Sequence, residues 1–281
     1  MAPTASVSFD TQAGDFDLRA GLPEGAAERI AAALAELAPD GGGVLLDIGA
    51  GTGQVGTHLA AAWRARPRGF YVAIDISAPM LAAFRRKLGA DAEASLVRAN
   101  AATRWPVASA SVDLVFSSRA AHLLPPDALV RETLRVAAPG GALAVFGGVR
   151  SEPESLRAEV RREMRRLLAE AGYEPRRAGE SRRAIAGALA ACGGEVLPVS
   201  TAASWSAVHR AGDALAAWRA KPGLGGRAVP PEVQETVLRR LDEWIRKRYG
   251  SLDVERDATE RYELAAIRLP NIDHRRREGT T

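Results

Sequence analysis

Cysteine is almost absent from this chain: Cys192 stands alone among 281 residues. A single thiol excludes an internal disulfide and any metal site built from cysteine pairs. Cys192 lies in LAACGG, and its expected role there is that of a small buried hydrophobe. Apolar residues make up 47% of the chain, yet no run approaches the roughly 18 consecutive residues a membrane-spanning helix needs. The opening MAPTASVSFDTQAGDFD lacks the basic start and apolar stretch of a secretory signal. Together these absences predict a cytoplasmic protein that does not enter a membrane. Charge excludes little: 38 basic against 34 acidic residues leave +4, a mild excess that selects no partner by itself.

What is present is periodicity. The apolar content and length suffice for one large core, or one core with a smaller appended lobe. PEGAAERIAAALAELA, residues 23–38, reads as a helix, with Ile30, Leu34 and Leu37 at helical spacing. Short apolar strands are expected at Val44–Ile48, Phe70–Ile74 (running into Asp75), Ser95–Arg98, Val112–Phe116 and Ala142–Phe146. Helices are expected between them at Gln54–Ala65, Pro79–Leu88 and Asp127–Val136. Strands alternating with helices every 20 to 30 residues predict a parallel, doubly wound α/β sheet covered on both faces.

After Gly148 the pattern changes. A long amphipathic helix is predicted over 153–171, with Leu156, Val160, Met164, Leu167 and Leu168 on one stripe and arginines at 157, 161, 162, 165 and 166 around it. A helix at 181–191, a strand at Glu195–Ser200, helices at 206–219 and 231–248, and a last strand at Arg261–Pro270 complete the reading. The arginine-rich helix reads as a solvated face. It lacks the interleaved aromatics of a base-stacking surface, so a nucleic-acid partner is not expected.

The chemistry is concentrated in VLLDIGAGTGQVG, Val44 to Gly56. Gly51–Gly56 spells G-x-G-x-x-G directly after a strand and before a helix. Glycines permit a tight turn and close approach of a ligand, and the helix start offers free N–H groups. Asp75, at the end of the next strand, is placed to accept hydrogen bonds from a ribose diol. A dinucleotide and another adenosine-containing cofactor are both compatible with this much.

The remaining motifs separate them. LDIGAGTG, then AIDIS, then RANAATRWP leading to SVDLVFSS, then LRVAAPGGALAVF follow one another as in the class I S-adenosylmethionine-dependent methyltransferases. The series most resembles their UbiE-like, type 11, small-molecule branch, over roughly residues 9–148. The resemblance implies a Rossmann-like seven-stranded sheet with its last strand antiparallel, decorated by helical cap insertions. It implies an N-terminal lid and helix over 1–40, a cofactor-binding core over 41–150, the rest of the sheet with substrate-cap helices (about 151–178 and 205–257) over 151–270, and a flexible tail over 271–281.

The cofactor so implied is S-adenosyl-L-methionine, with S-adenosyl-L-homocysteine as product. Asp47, Gly49, Ala50, Gly51 and Gly53 would wrap its methionine part. Asp75 would hold the ribose hydroxyls, with Ile76 against the adenine and Met80 nearby. Asn100, where the family commonly has aspartate, and Ala101 would meet the adenine edge, and Ser117 would floor the site. Phe16 would cover the cofactor as part of the lid, and Arg19 would meet its carboxylate. His122, after the fourth strand, is a candidate general base and equally a candidate pocket-lining residue. Trp205, His209 and Trp244 are candidates to line an acceptor pocket, with a small molecule as the partner and a monomer or homodimer as the assembly.

The sequence offers neither an Asn-Pro-Pro-Tyr nor an Asp-Pro-Pro-Tyr turn after DLVFSS, which argues against methylation of adenine or glutamine amino groups by enzymes that use that turn. A nicotinamide-dependent oxidoreductase, a macromolecule methyltransferase and a cofactor-binding protein without transfer activity remain as rivals.

Overall fold

The structure, a computed structural model, describes residues 16–17, 21–38, 42–89, 93–175, 179–220 and 222–271. The chain divides into two compact units. Unit 1 comprises Met1–Gly148, Ser181–Ala203 and Tyr262–Thr281; unit 2 comprises Val149–Glu180 and Ser204–Arg261.

Unit 1 opens with α1, Ala26–Leu37, and then alternates: β1 Val44–Ile48, α2 Gly56–Arg64, β2 Phe70–Asp75, α3 Ala78–Leu88, β3 Ser95–Arg98, β4 Leu114–Ser118, α4 Pro126–Val136 and β5 Leu143–Ser151. The strands pair in parallel, β1 with β2 and β4, β2 with β3, β4 with β5. They carry near-continuous apolar runs because both faces are covered: Leu45, Leu46 and Ile48 of β1 are wholly buried. Local chemistry sets the helix ends. Ser77 caps α3 by accepting from the Met80 N–H at 3.4 Å, and Pro79 sits in the first turn, where no intrahelical donor is needed. The buried Glu132 of α4 accepts from the Trp105 N–H at 2.9 Å and from Arg135 at 2.7 Å, tying the loop before β4 to the helix after it.

The chain then forms α5 Leu156–Glu170, α6 Glu180–Ala191, β6 Glu195–Val196, β7 Ser200–Arg210, α7 Ala211–Arg219, α8 Pro231–Tyr249 and β8 Glu255–Arg268. The sheet order is β3-β2-β1-β4-β5-β8-β6, with β7 paired to β8 off this path. The seven expected strands are therefore joined by an eighth. β8 runs antiparallel to β6. It also runs against β5: the Leu269 N–H donates to the Ala142 carbonyl at 2.8 Å, while Tyr262 lies over Gly147.

Three local expectations are corrected. Residues 206–210 are not the start of a helix but the end of β7, so His209 and Trp205 lie on a strand. The segment STAASWSAVHR is alternately less and more buried along much of its length, a period of two that its alanine content masks. The fourth strand covers Leu114–Ser118, not 112–116; Val112 makes an isolated bridge with Ala137 instead. Cys192 is exposed, not buried, because α6 ends at Ala191 and the chain turns there through Gly193 with its φ at 93°.

Each unit has its own apolar centre. In unit 1, Leu46, Ile48, Ile74, Trp105, Val115, Leu129 and Phe146 belong to one buried cluster. In unit 2, the stripe Leu156, Val160, Met164, Leu167 and Leu168 of α5 packs with Leu215 of α7 and Val237, Leu238, Leu241 and Ile245 of α8. A buried aliphatic side chain contributes about 1.5–3 kcal/mol, enough for such a stripe to hold the helices together. Among the described residues, no helix is long and apolar enough to cross a membrane, and no cluster of His, Cys, Asp and Glu could hold a metal ion.

Candidate functional site

In unit 1 the sheet order reverses at β1, whose neighbours are β2 on one side and β4 on the other. Open α/β sheets place ligands at the carboxyl ends of the strands flanking such a switch. The glycine loop lies there. The Gly49 and Ala50 N–H groups donate to the Ile74 carbonyl at 2.9 and 3.2 Å, which folds the loop back over β2.

Two glycines of the loop do different work. Gly53 has a φ of 71°, and a Cβ placed on it would overlap the Phe84 ring. Gly51 has a φ of 57°, and a Cβ there would meet nothing within 4 Å. One is closed by packing and the other borders open space, as a ligand's approach requires.

The Asp75 carboxylate bridges the loop and the next helix. Its Oδ2 accepts from the Gly51 N–H at 2.8 Å and its Oδ1 from the Ser77 N–H at 2.8 Å. Asp47 is buried, only 2% exposed. Its Oδ2 accepts from the Tyr71 hydroxyl at 2.7 Å, and its Oδ1 has no partner among the described residues. Burial, with the Asp75 charge adding to it, pushes the Asp47 carboxyl up to about 7 against the Tyr71 hydrogen bond. The Tyr71 phenol is raised well above its ordinary value by burial and by that same carboxylate, so it keeps its proton.

The other candidates fall around this centre. Ile76 is half exposed beside Asp75, whereas Met80 is buried to 2%. Asn100 spends its Oδ1 on the Ala102 N–H at 2.9 Å, a local turn, and the Ala101 carbonyl accepts from the Trp105 indole at 3.0 Å. Ser117 is buried and donates to the Ile48 carbonyl at 2.9 Å, locking β4 to the end of β1. His122 is exposed on a single 3-10 turn, Ala121–Leu123. Phe16 is half-buried in a helical pair at 16–17, and Arg19 lies outside the described residues.

Sequence reasoning missed the network that ties Asp17 to the glycine loop. Asp17 Oδ1 accepts from Thr52 Oγ1 at 2.6 Å and Gln54 Nε2 at 2.7 Å, and its Oδ2 pairs with Lys87 at 2.5 Å. Burial works to raise this carboxyl, but Lys87, Thr52 and Gln54 outweigh it and hold it below the usual range. Gln54 Oε1 in turn accepts from Arg119 Nη2 at 2.9 Å. Arg119 adopts a φ of 57°, strained for a non-glycine residue, directly after β4. Its neighbour Ser118 shares a 2.6 Å hydrogen bond with Tyr262, whose phenol burial pushes up to about 12. The available signal was Asp17 itself, directly after Phe16.

In unit 2, Trp205 is half-buried on β7, and Trp244 packs edge-on against Tyr249 at 5.7 Å beside the helical cluster. His209 is buried and its Nε2 lies 3.1 Å from Glu260 Oε1.

Residues 45–141 match a family described as a methyltransferase domain. A malonyl-[acyl-carrier protein] O-methyltransferase from Xylella fastidiosa (strain M23) is 32% identical over 146 residues, covering 50% of this chain and 47% of that protein. The ubiquinone/menaquinone biosynthesis C-methyltransferase UbiE of Syntrophotalea carbinolica is 36% identical over 119 residues, covering 41% of this chain and 48% of that protein. The chain thus spans about half the length of the curated relatives it matches. A crystal structure from Bacillus halodurans C-125, solved as a candidate methyltransferase, shares 17% identity over 85% of this chain and 98% of that one, with a TM-score of 0.53. A candidate type II methyltransferase from Anaeromyxobacter dehalogenans shares 22% over 86% of this chain and 97% of that one, with a TM-score of 0.51. The residues present fit S-adenosylmethionine, the donor that goes with this domain: an open face at Gly51, the Asp75 carboxylate beside it and a buried Asp47 oxygen without a partner among the described residues. Residues 45–141 thus match a methyltransferase domain, on a fold shared with solved methyltransferase candidates and with a motif order similar to that of the class I S-adenosylmethionine-dependent methyltransferases.

Proposed function

We propose that the chain is an S-adenosylmethionine-dependent methyltransferase acting on oxygen, nitrogen or carbon of a small molecule, a specialised metabolite, with unit 2 supplying acceptor recognition. The observation that carries the reading is the Asp75 carboxylate, fixed by two backbone N–H groups at the end of β2 beside the open face of Gly51. The two curated relatives bear different names, one an O-methyltransferase of a malonyl carrier protein and one a C-methyltransferase of quinone biosynthesis. Shared donor machinery with divergent acceptors supports placing specificity outside residues 45–141.

When bound, the sulfonium supplies an already activated methyl group. Asp47, Gly49, Ala50, Gly51 and Gly53 hold the methionine part, Asp75 the ribose hydroxyls, and Ile76, Asn100 and Ala101 the adenine. Phe16 closes over the site, and Asp17, bonded to Thr52 and Gln54, holds that lid to the loop. Such a site aligns the acceptor and excludes water, and needs a base only when the acceptor must lose a proton.

Titration calorimetry with S-adenosylmethionine and S-adenosylhomocysteine, in parallel with NAD and NADP, tests the reading. The first pair is expected to bind, and Asp75→Ala to weaken it by about tenfold to a hundredfold, since charge-assisted hydrogen bonds contribute about 1.5–3 kcal/mol each. Tight NAD binding, or no binding of the first pair, overturns it. His122 is proposed to line the acceptor side. His122→Ala is expected to slow turnover less than tenfold, measured by methyl transfer once an acceptor is found. A loss of about a hundredfold or more would make it the general base.

A further inference from the structure

The arginines of α5 are not alike. Arg166 pairs with Glu163 at 2.5 Å and also with Glu170, and Arg162 donates to the Pro153 carbonyl at 2.8 Å. Arg157, Arg161 and Arg165 recur every fourth residue, which places them along one face of the helix. Arg157 reaches Glu260 at 2.7 Å. Arg161 and Arg165, among the described residues, make no hydrogen bond or ion pair. Both are partly buried. Desolvation, with the charges of Arg157 and Arg165 adding to it and the Glu260 carboxylate opposing it, lowers the Arg161 guanidinium to about 10, so it remains a cation at neutral pH.

The neighbouring Glu260 carboxylate compensates Arg161 by its charge only in part. Glu260 is the inward residue of its stretch of β8, and its Oε1 takes three donors: Ser151 Oγ at 3.0 Å, Arg157 Nη1 at 2.7 Å and His209 Nε2 at 3.1 Å. Burial works to raise this carboxyl, but Arg157, Ser151 and His209 together draw it below the usual range. On the other ring nitrogen of His209, Nδ1 is buried and partnerless among the described residues. One carboxylate thus stands among two neighbouring guanidinium groups and an imidazole, with one guanidinium and one ring nitrogen unsatisfied. A partly desolvated cation without a hydrogen-bonded partner is costly.

We propose that unit 2 contains an anion-binding site centred on Arg161, with Arg165 as its second cation, for a small molecule bearing a carboxylate or phosphate group. The His209 Nδ1 is left for a polar group of the same ligand. That this ligand is the methyl acceptor rests on the proposed function; the site itself does not.

Benzoate and phenyl phosphate, titrated into the full chain at low salt without S-adenosylmethionine, test the site. At least one is expected to bind saturably with single-site stoichiometry, and which one identifies the anionic group. Arg161→Met is expected to weaken that binding by about tenfold or more, a loss of about 1.4 kcal/mol. Arg161→Lys should weaken it less, and Arg162→Met should leave it unchanged. Thermal melts give a second readout. Removing a cation without a hydrogen-bonded partner leaves Arg161→Met melting at or above wild type, and the bound probe should raise the wild-type midpoint. No saturable binding of either probe, or equal losses in Arg161→Met and Arg162→Met, overturns the proposal. If Arg161→Met does not fold, the residue is structural and the proposal falls, unless Arg161→Lys folds and still binds. S-adenosylmethionine binding without anion binding overturns this site alone, and the converse overturns the cofactor reading alone.

Discussion

Gly53→Val should abolish S-adenosylmethionine binding and destabilise unit 1 by about 3 kcal/mol or more, summed from backbone strain and overpacking. The φ of 71° puts this residue in the left-handed region, which a β-branched side chain scarcely visits, and the space its Cβ needs is filled by the Phe84 ring. Phe84 is wholly buried and meets Tyr71 edge-on at 6.2 Å, so it has nowhere to move. The comparison is Gly51→Ala, where φ is 57° and space is open. There the cost to the fold is the backbone strain alone, about 1–2 kcal/mol, while the added methyl occupies the face left for the ligand. Chemical denaturation and calorimetry separate the two: Gly53→Val fails in both, Gly51→Ala chiefly in binding. A Gly51→Ala variant that binds S-adenosylmethionine as wild type does would remove Gly51 from the ligand face.

Asp47 sets a pH dependence of stability whose sign follows from its environment. Its folded-state carboxyl, raised by burial to about 7, lies above the value of 3.8 in the free side chain. The folded protein therefore holds this proton where the unfolded chain has lost it. The stability so gained is fully present below about pH 4 and is lost as pH rises through 7. Between pH 5 and pH 8 the change is on the order of 2–3 kcal/mol for this group, a shift of several degrees in melting temperature. Asp47→Asn removes the titration while keeping an acceptor for the Tyr71 hydroxyl. Its melting temperature is expected to exceed wild type at pH 8 and to lose that advantage at pH 5. A constant difference between the two proteins across this range would show that Asp47 is ionised throughout.

Much of the α/β core was legible because its signals are local. The expected bounds of β1 and β3, Val44–Ile48 and Ser95–Arg98, are those observed, since short apolar runs bounded by turn residues leave the chain few alternatives. The helix expected at Pro79–Leu88 is observed one residue longer, as α3 at Ala78–Leu88, with Ser77 and Pro79 at its start and Gly89 at its end. Reading failed where two local signals competed. SWSAVHRAGDALAAWRA looked helical throughout, yet residues up to Arg210 form β7, because pairing with β8 outweighs alanine's helix preference. Cys192 followed its type's preference for burial in the reading, and a helix end put it outside.

For the candidate site, the places of the glycine loop after β1 and of Asp75 at the end of β2 were legible in the sequence, because turn geometry and strand ends are written in glycine and in apolar runs. Their bonding was not: that Asp75 spends an oxygen on Gly51, and that Asp47 keeps one unpartnered, depends on strands brought into register. Asp17 meets Gln54 and Lys87 across 37 and 70 residues, and His209 meets Glu260 across 51. No local pattern encodes such pairs. Sequence by itself determined the doubly wound core and the type of its ligand loop, through periods of two and 3.6 and through turn chemistry. Tertiary structure alone decided which charges are paired, and so left Arg161, among the described residues, without a hydrogen-bonded partner on a helix of five arginines, because pairing depends on which residues distant in sequence arrive at the same place.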